Sequence, residues 1–135
     1  MEKIIVNVAK TINGYTASID ILPGWVLGTT GSFDDFKKDL KESVDVYIEW
    51  AKEDGDEYPV VFDGEYEFEY QFDVESLLYC YNGIFTRSAM SRLTGINEKQ
   101  LGHYARGRSQ PRLAQKRKIT TALHKLGKEL MAVSV

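Results

Sequence analysis

Residues Thr86 to Pro111 form a stretch that reads TRSAMSRLTGINEKQLGHYARGRSQP. Thr86 can cap a first helix, because its hydroxyl can accept from an unpaired amide of the opening turn. Gly95 ends that helix, since glycine takes the left-handed conformation without a Cβ clash. Asn97 caps a second helix, with Gln100 three residues on as its partner in a capping box. The stretch therefore predicts a helix, a tight turn, a second helix and a basic loop.

The apolar residues of this stretch give each helix a buried face. On the first helix they recur at spacings of three and four, at Ala89, Met90 and Leu93. Ile96 is expected to fill the turn, and Leu101 and Tyr104 are expected to face the core. The positions left pointing outward are Glu98, Lys99, Gln100, Gly102, His103 and Arg106.

The same residues resemble the helix-turn-helix of phage-repressor-type regulators. That family has a small residue, a glycine four later, apolar residues one and six after the glycine, and a Gly-x-x-x-Pro exit. These positions are filled in register by Ser91, Gly95, Ile96, Leu101, Gly107 and Pro111. The resemblance covers roughly the last 60 residues and implies a DNA-binding domain, with an ordinary helical hairpin as the alternative.

The two halves of the chain carry opposite charge. Residues 1–75 contain 6 lysines and 18 acidic residues, a net charge of −12, and residues 76–135 contain 11 basic and 2 acidic residues, a net charge of +9. The basic half suits a polyphosphate, where release of condensed cations drives binding. The acidic half suits a basic partner. We therefore expect two domains, residues 1–75 and residues 76–135, with different partners.

Composition also bounds the class of protein. The 135 residues are enough for one ordinary domain or two small ones. No apolar run approaches the roughly 20 residues of a membrane helix, and no signal peptide opens the chain. Cys80 is the only cysteine, so no internal disulfide can form. These features predict a cytoplasmic protein with no membrane partner.

The acidic half predicts the element order β-β-β-α-β. Alternating or β-branched patterns indicate strands at residues 3–11, 15–21, 25–30 and 64–73. Asn13-Gly14 predicts a hairpin turn, because both residues tolerate positive φ. Ser32 is expected to cap a helix that reaches about Glu53. Its apolar residues at helical spacing are Phe33, Phe36, Leu40, Val44, Tyr47 and Ala51.

The last of these strands, GEYEFEYQFD at residues 64–73, alternates aromatic and polar side chains. It predicts one aromatic face and one acidic face. The acidic face is either the solvated side of a half-buried sheet or a surface for a basic partner. On the second interpretation the candidate contacts are Glu65, Glu67 and Glu69 with the loop residues Asp54, Asp56 and Glu57.

The segments GYTASIDILPGW (residues 14–25) and TTGSFDDFKKDLKESVDVYI (residues 29–48), in this order of elements, resemble the HicB family of antitoxins. The resemblance implies an α+β fold in which a degenerate ribonuclease-H-like domain precedes an all-α helix-turn-helix domain. It also implies that the acidic domain covers a small basic toxin of the HicA type, which cleaves messenger RNA. The basic domain would then bind the operator of its own operon, as a homodimer or higher homo-oligomer.

For DNA binding, the helix from Asn97 to Arg106 is expected to enter the major groove. Lys99, Gln100 and His103 are the candidate base-reading residues, because they occupy its outward first two turns. The candidate phosphate contacts position the protein and carry little sequence information. They are Arg87, Arg106, Arg108, Ser109 and Arg112.

An enzyme is the alternative for the acidic half, because paired carboxylates can hold the magnesium ions of a nuclease. Only Asp20 and Asp63 are isolated at predicted strand ends, and neither His103 nor His124 has a metal-ligand spacing. We therefore expect no catalytic residues, no metal and no cofactor. A solitary transcriptional regulator, whose acidic domain senses a ligand or dimerises, is the remaining alternative.

The last segment predicts one more helix, packed behind the first two helices of the basic half. Its apolar residues recur at spacings of three, four and six. They are Leu113, Ile119, Ala122, Leu123, Leu126 and Leu130. The apolar residues 130–135 are expected to be frayed or to form a dimer contact.

Overall fold

The computed structural model describes residues 1–135 as a mixed α+β chain with one four-stranded sheet and five α-helices. The strands are β1 (Glu2–Lys10), β2 (Gly14–Ser18), β3 (Val26–Thr30) and β4 (Tyr66–Phe72). The helices are α1 (Phe33–Asp54), α2 (Val74–Cys80), α3 (Arg87–Thr94), α4 (Glu98–Ala105) and α5 (Leu113–Met131), with a short 3₁₀ helix at Val60–Asp63. None of the five α-helices combines the length and the apolar composition that a membrane span requires.

The chain divides into two units, Met1–Asp73 and Val74–Val135. The first contains the whole sheet with α1, and the second contains only helices. The helix α2 begins directly at this division, with no glycine or proline between the units. The sequence-based boundary lies two residues later, between Glu75 and Ser76.

The sheet has the strand order β3-β2-β1-β4. β1 pairs antiparallel with β2 and parallel with β4, so that Ile4 lies opposite Phe68. Alternate residues of β1, namely Ile4, Val6 and Val8, are at most 3% exposed. They form the core beneath α1, since side chains of a strand alternate between the two faces of its sheet.

The helix α1 begins after Ser32, whose hydroxyl accepts a hydrogen bond from the backbone N–H of Asp35 at 3.1 Å. It ends at Gly55, which has a φ of 71°. Its buried face follows a four-residue row, Phe36, Leu40, Val44 and Ile48, with Ala51. Tyr47 was expected on this face, but it is 37% exposed, because the row passes through Ile48 instead.

The hairpin at Gly14 forms as predicted, but the physical reason for its glycine is different. Neither Asn13 nor Gly14 has positive φ. Gly14 lies opposite Thr30 of β3, where a Cβ would collide with the backbone carbonyl of Thr29. Glycine is therefore required at this position because the neighbouring backbone comes too close for any side chain.

The core of the helical unit joins residues from all four helices. Its buried members are Val74, Met90, Ile96, Leu101, Tyr104 and Ile119. From α5 only Ile119 is fully buried, and Leu123 packs against the cluster as a partly buried residue. Most of the apolar residues of α5 were expected to pack here, but Leu113 is 60% exposed. Leu130, which belongs to the tail expected to be frayed or to form a dimer contact, is 57% exposed.

Candidate nucleic-acid interface

The first helix of the candidate interface, α3, is fixed at both ends by the residues the sequence indicated. The hydroxyl of Thr86 accepts from the backbone N–H of Ala89 at 3.0 Å. At the other end Gly95, with a φ of 77°, donates its N–H to the carbonyl of Ser91 at 2.9 Å. Both helix ends therefore have hydrogen-bond partners, which fixes the direction in which the chain leaves α3.

The three-residue turn between α3 and α4 is tied by a threonine that sequence reasoning missed. The buried hydroxyl of Thr94 donates to the carbonyl of Met90 at 2.7 Å and accepts from the N–H of Ile96 at 3.1 Å. Leu93, expected on the buried face, is instead 36% exposed. A threonine next to the helix-ending glycine was the only signal, and its polar side chain did not indicate burial.

The N-terminus of α4 is capped as predicted, but the capping box is only half formed. The Asn97 carboxamide oxygen accepts from the backbone N–H of Gln100 at 2.8 Å. The Gln100 side chain makes no return bond to Asn97, and its Nε2 donates instead to the Ser109 hydroxyl at 3.1 Å. The structure thus joins a candidate base-reading residue to a candidate phosphate contact.

Gly102, in the middle of α4, was predicted to point outward, but it is buried. A Cβ at Gly102 would lie 3.0 Å from Nη1 of Arg87. The exposed Arg87 side chain therefore passes beside α4 through the space that the missing side chain leaves.

The loop after α4 folds back onto the end of that helix. Gly107, with a φ of 69°, donates its backbone N–H to the Tyr104 carbonyl at 3.1 Å. The backbone N–H of Arg108 donates to the His103 carbonyl at 2.9 Å. A Cβ at Gly107 would lie 3.1 Å from Oε2 of Glu75. An acidic residue of α2 therefore lies at the base of this basic loop.

The candidate interface residues are accessible to different extents. Gln100, His103 and Ser109 are half-buried. The exposed ones are Arg87, Lys99, Arg106, Arg108 and Arg112. Sequence reasoning missed a run of three exposed cations on α5, whose signal was the charge run itself: Lys116, Arg117 and Lys118. With 11 basic and 3 acidic residues, the unit from residue 74 to residue 135 presents a strongly positive surface.

In the other unit, β4 alternates as predicted. Its aromatic residues face α1, where the Phe33 ring lies 5.3 Å from that of Tyr70, and Lys41 donates to the Tyr66 hydroxyl at 2.8 Å. Glu67 and Glu69 are exposed and point to the face of the sheet that α1 does not cover. Lys3 of β1 lies directly opposite Glu67.

The six candidate partner contacts of this unit do not form one surface. Glu65 precedes β4, and only Glu67 and Glu69 belong to the strand. Asp54 ends α1, and Asp56 and Glu57 follow it as exposed loop residues. Since α1 covers the opposite face of the sheet, the loop carboxylates and the strand glutamates lie on different sides of the unit.

The two carboxylates weighed as nuclease residues both have hydrogen-bond partners. Asp63 accepts from the Tyr58 hydroxyl at 3.0 Å and pairs with Lys52 at 3.1 Å. The hydrogen bond from Lys52, and then that from Tyr58, lowers the pKa of Asp63 below its ordinary value of 3.8. Asp20 accepts from the Asn7 carboxamide at 3.0 Å. No group of three or more His, Cys, Asp or Glu residues is placed to hold a metal ion.

No protein-family model, curated protein or solved structure matches this chain. The chain itself provides a turn-linked helix pair in one unit, with exposed cations on and around it. In the other unit it provides an uncovered sheet face with two strand glutamates. The two surfaces belong to separate units, whose net charges have opposite signs.

Proposed function

We propose that this chain is an antitoxin that also represses its own operon. The helical unit binds operator DNA, and the sheet unit neutralises a small basic toxin of the HicA type that cleaves messenger RNA. The observation that carries the proposal is the capped α3–turn–α4 pair with its exposed cations, in a chain whose other unit has the opposite net charge. Opposite charge on two units favours two different partners.

For DNA, α4 enters the major groove, which is wide enough to admit one α-helix. Lys99, Gln100 and His103 lie in its first two turns, where a docked helix reaches base edges. A bidentate contact from Gln100 to adenine is worth about 1–3 kcal/mol of discrimination against another base.

The cations around α4 hold the protein on the duplex. The exposed guanidinium groups of Arg87, Arg106, Arg108 and Arg112 bind phosphates, which sets register and orientation without reading sequence. Lys116, Arg117 and Lys118 add charge on α5. Binding through these residues weakens as salt concentration rises, because each phosphate contact releases condensed cations.

The chain binds DNA as a homodimer, or as a larger oligomer built from such dimers. Beyond Leu123, α5 exposes apolar residues, with Leu130 57% and Met131 89% exposed. Burying such an exposed apolar helix end against a second copy of the chain is favourable. Two-fold symmetry then matches half-sites roughly 34–36 Å apart, one turn of the double helix.

In the sheet unit, three antiparallel strands, a covering helix and a parallel fourth strand support a degenerate ribonuclease-H-like domain. Its uncovered face combines charge with exposed apolar side chains, since Ile5 lies opposite Glu69 and is 48% exposed. This combination suits a protein partner that is basic and partly apolar. The second candidate contact is the end of α1 at Asp54 together with the loop residues Asp56 and Glu57.

Co-expression with the product of the adjacent reading frame tests the antitoxin part. Co-expression should restore growth and yield a stable complex. The full chain should also bind the DNA upstream of the operon in a mobility-shift assay. If the product of the adjacent frame were not toxic and the full chain still bound the upstream DNA, the solitary regulator would be favoured instead.

Two triple variants locate the toxin contact. Changing Glu65, Glu67 and Glu69 to glutamine should slow toxin association, chiefly at low salt, because steering charges act through the association rate. The second variant neutralises the other candidate contact, Asp54, Asp56 and Glu57, with the same change in net charge. Equal effects of both triples would show that only net charge matters, and an unaltered rate in both would remove both surfaces from the interface.

A further inference from the structure

The hydrogen bond between Gln100 and Ser109 connects the first turn of α4 to the loop that follows the helix. Its Nε2 to Oγ distance is 3.1 Å, and both side chains are half-buried. The cap of α4 needs only the backbone N–H of Gln100, which Asn97 accepts. The carboxamide of Gln100 is therefore free of the helix end and held by the loop.

The hydrogen-bonding capacity of the two groups defines what the pair can still bind. A carboxamide has two N–H donors and one carbonyl acceptor, and Ser109 occupies one of those donors. The remaining N–H and the carbonyl oxygen of Gln100 match adenine, which offers N7 as acceptor and its N6 amino group as donor in the major groove.

The hydroxyl of Ser109 accepts in this pair, so its own proton is free to be donated. A phosphate oxygen is the acceptor that a DNA duplex offers next to a major-groove helix. The exposed Arg108 precedes Ser109 in the loop and places positive charge beside it.

We propose that Ser109 is a positioning residue for Gln100, which couples a phosphate contact to adenine recognition. The inference rests on the proposed DNA binding of the helical unit. By holding the carboxamide before DNA arrives, Ser109 reduces the side-chain freedom that Gln100 loses on binding. The contribution of Ser109 to DNA affinity therefore depends on the base that Gln100 contacts, whereas the contribution of Arg108 does not depend on that base.

The alternative role for Ser109 is to fasten the loop to α4. A fastening residue would weaken binding to every duplex by the same factor and would lower the stability of the chain. A positioning residue acts through Gln100 in addition to its own phosphate contact, so the effects of changing the two residues must be coupled.

The experiment uses the full chain and a randomised DNA duplex library. The wild-type chain first selects its preferred duplex at low salt, and each A·T pair of that duplex is then replaced by G·C in turn. Binding of wild type, Ser109→Ala, Gln100→Ala and the double variant is measured on every duplex. Ser109→Thr, which keeps the hydroxyl, and Arg108→Ala serve as controls.

We expect Ser109→Ala to weaken binding to the preferred duplex by about fivefold, and binding to the duplex that lacks the adenine read by Gln100 by the smaller factor of the lost phosphate contact alone. The double variant should bind more weakly than Gln100→Ala by that smaller factor only, and Ser109→Thr should bind like wild type. Arg108→Ala should weaken all duplexes alike. The thermal unfolding midpoint of Ser109→Ala should stay at the wild-type value.

Two results overturn the inference and leave the proposed function intact. One is additivity of the two alanine substitutions, and the other is an equal loss on every duplex with Ser109→Ala. A wild-type chain that enriches no sequence from the library would remove the proposed DNA-binding function itself, and this inference with it.

Discussion

The guanidinium of Arg87 occupies the space beside Gly102, where an added Cβ would lie 3.0 Å from Nη1 and 3.4 Å from Cζ. Arg87 is the first residue of α3, and Gly102 lies in the middle of α4. Because Gly102 has no side chain, the guanidinium of Arg87 can lie against α4. In the proposed complex this places Arg87 beside the helix that reads the bases.

Replacing Gly102 with alanine should separate DNA affinity from stability. The added methyl group meets the far end of a flexible side chain, so Arg87 moves away at low cost. Alanine favours a helix interior over glycine by about 1 kcal/mol, so the free energy of unfolding should be unchanged or higher. Affinity for the preferred duplex should fall, which a binding titration of the two proteins would measure.

Gly127→Ala is the matched control, because a Cβ at Gly127 has no neighbour within 4 Å. It should raise the free energy of unfolding by up to about 1 kcal/mol with no change in DNA affinity. If Gly102→Ala bound DNA as tightly as Gly127→Ala, the position of Arg87 would have no part in binding.

Thr94→Val should destabilise the helical unit. Valine has a similar shape but leaves the N–H of Ile96 without the acceptor it now has at 3.1 Å. A buried donor left without a partner costs about 1–3 kcal/mol, and Thr94→Ser should retain most of this stability because it keeps the hydroxyl. The loss should appear in chemical unfolding followed by circular dichroism.

Tryptophan fluorescence provides the internal control for that experiment, because Trp25 and Trp50, the only two tryptophans, both lie in the sheet unit. If Thr94→Val shifted the unfolding transition followed by tryptophan fluorescence as much as the one followed by circular dichroism, the substitution would affect both units. That result would contradict a local role of Thr94 in the turn.

Arg108→Ala should flatten the salt dependence of DNA binding. Loss of one phosphate contact reduces the slope of log K against log salt by about 0.9 and weakens binding to all sequences. Lys128→Ala removes the same charge near the far end of α5, roughly 22 Å along the helix axis from its first residue. An identical slope for Arg108→Ala and wild type would exclude Arg108 from the phosphate contacts.

Asp63→Asn should reduce the stability of the sheet unit at neutral pH only. The pKa of Asp63 is lowered by Lys52 and Tyr58, so the stabilisation is present above the unfolded-state pKa. It is lost as the pH falls through the folded-state pKa. The effect should be small and sensitive to salt, because the pair is exposed. Urea midpoints from tryptophan fluorescence at neutral and strongly acidic pH would measure it, with Asp56→Asn as the control.

Helix ends were the features most accurately predicted from the sequence. Ser32, Thr86 and Asn97 each cap the helix they precede, and Gly95 ends α3 with positive φ. Such ends depend on residues that are neighbours in the chain, so local chemistry is sufficient to locate them.

Contacts between segments were not predictable from the same patterns. The burial of Thr94 depends on the path of the following turn, and the partner of the Gln100 side chain lies in a loop beyond α4. The requirement for glycine at position 14 comes from the backbone of β3. Each depends on where a separate segment comes to lie, which the spacing of residues within one helix or strand does not specify.

The split among the candidate toxin contacts has the same origin. Alternation in the sequence correctly placed Glu67 and Glu69 on one face of β4. Which face α1 covers was not part of that pattern, so the loop with Asp56 and Glu57 was grouped with a surface on the other side of the sheet.

The pairing of β1 with β4 also determines the order in which the sheet unit can assemble. Ile4 and Phe68 are partners at opposite ends of this unit, whereas β1, β2 and β3 follow one another closely. On the ribosome, one edge of β1 therefore stays open until β4 and the residues after it have been synthesised. An open edge of apolar β-branched residues is a site of aggregation, so ribosome pausing before Tyr66 should lower the yield of folded chain more than pausing after Phe72.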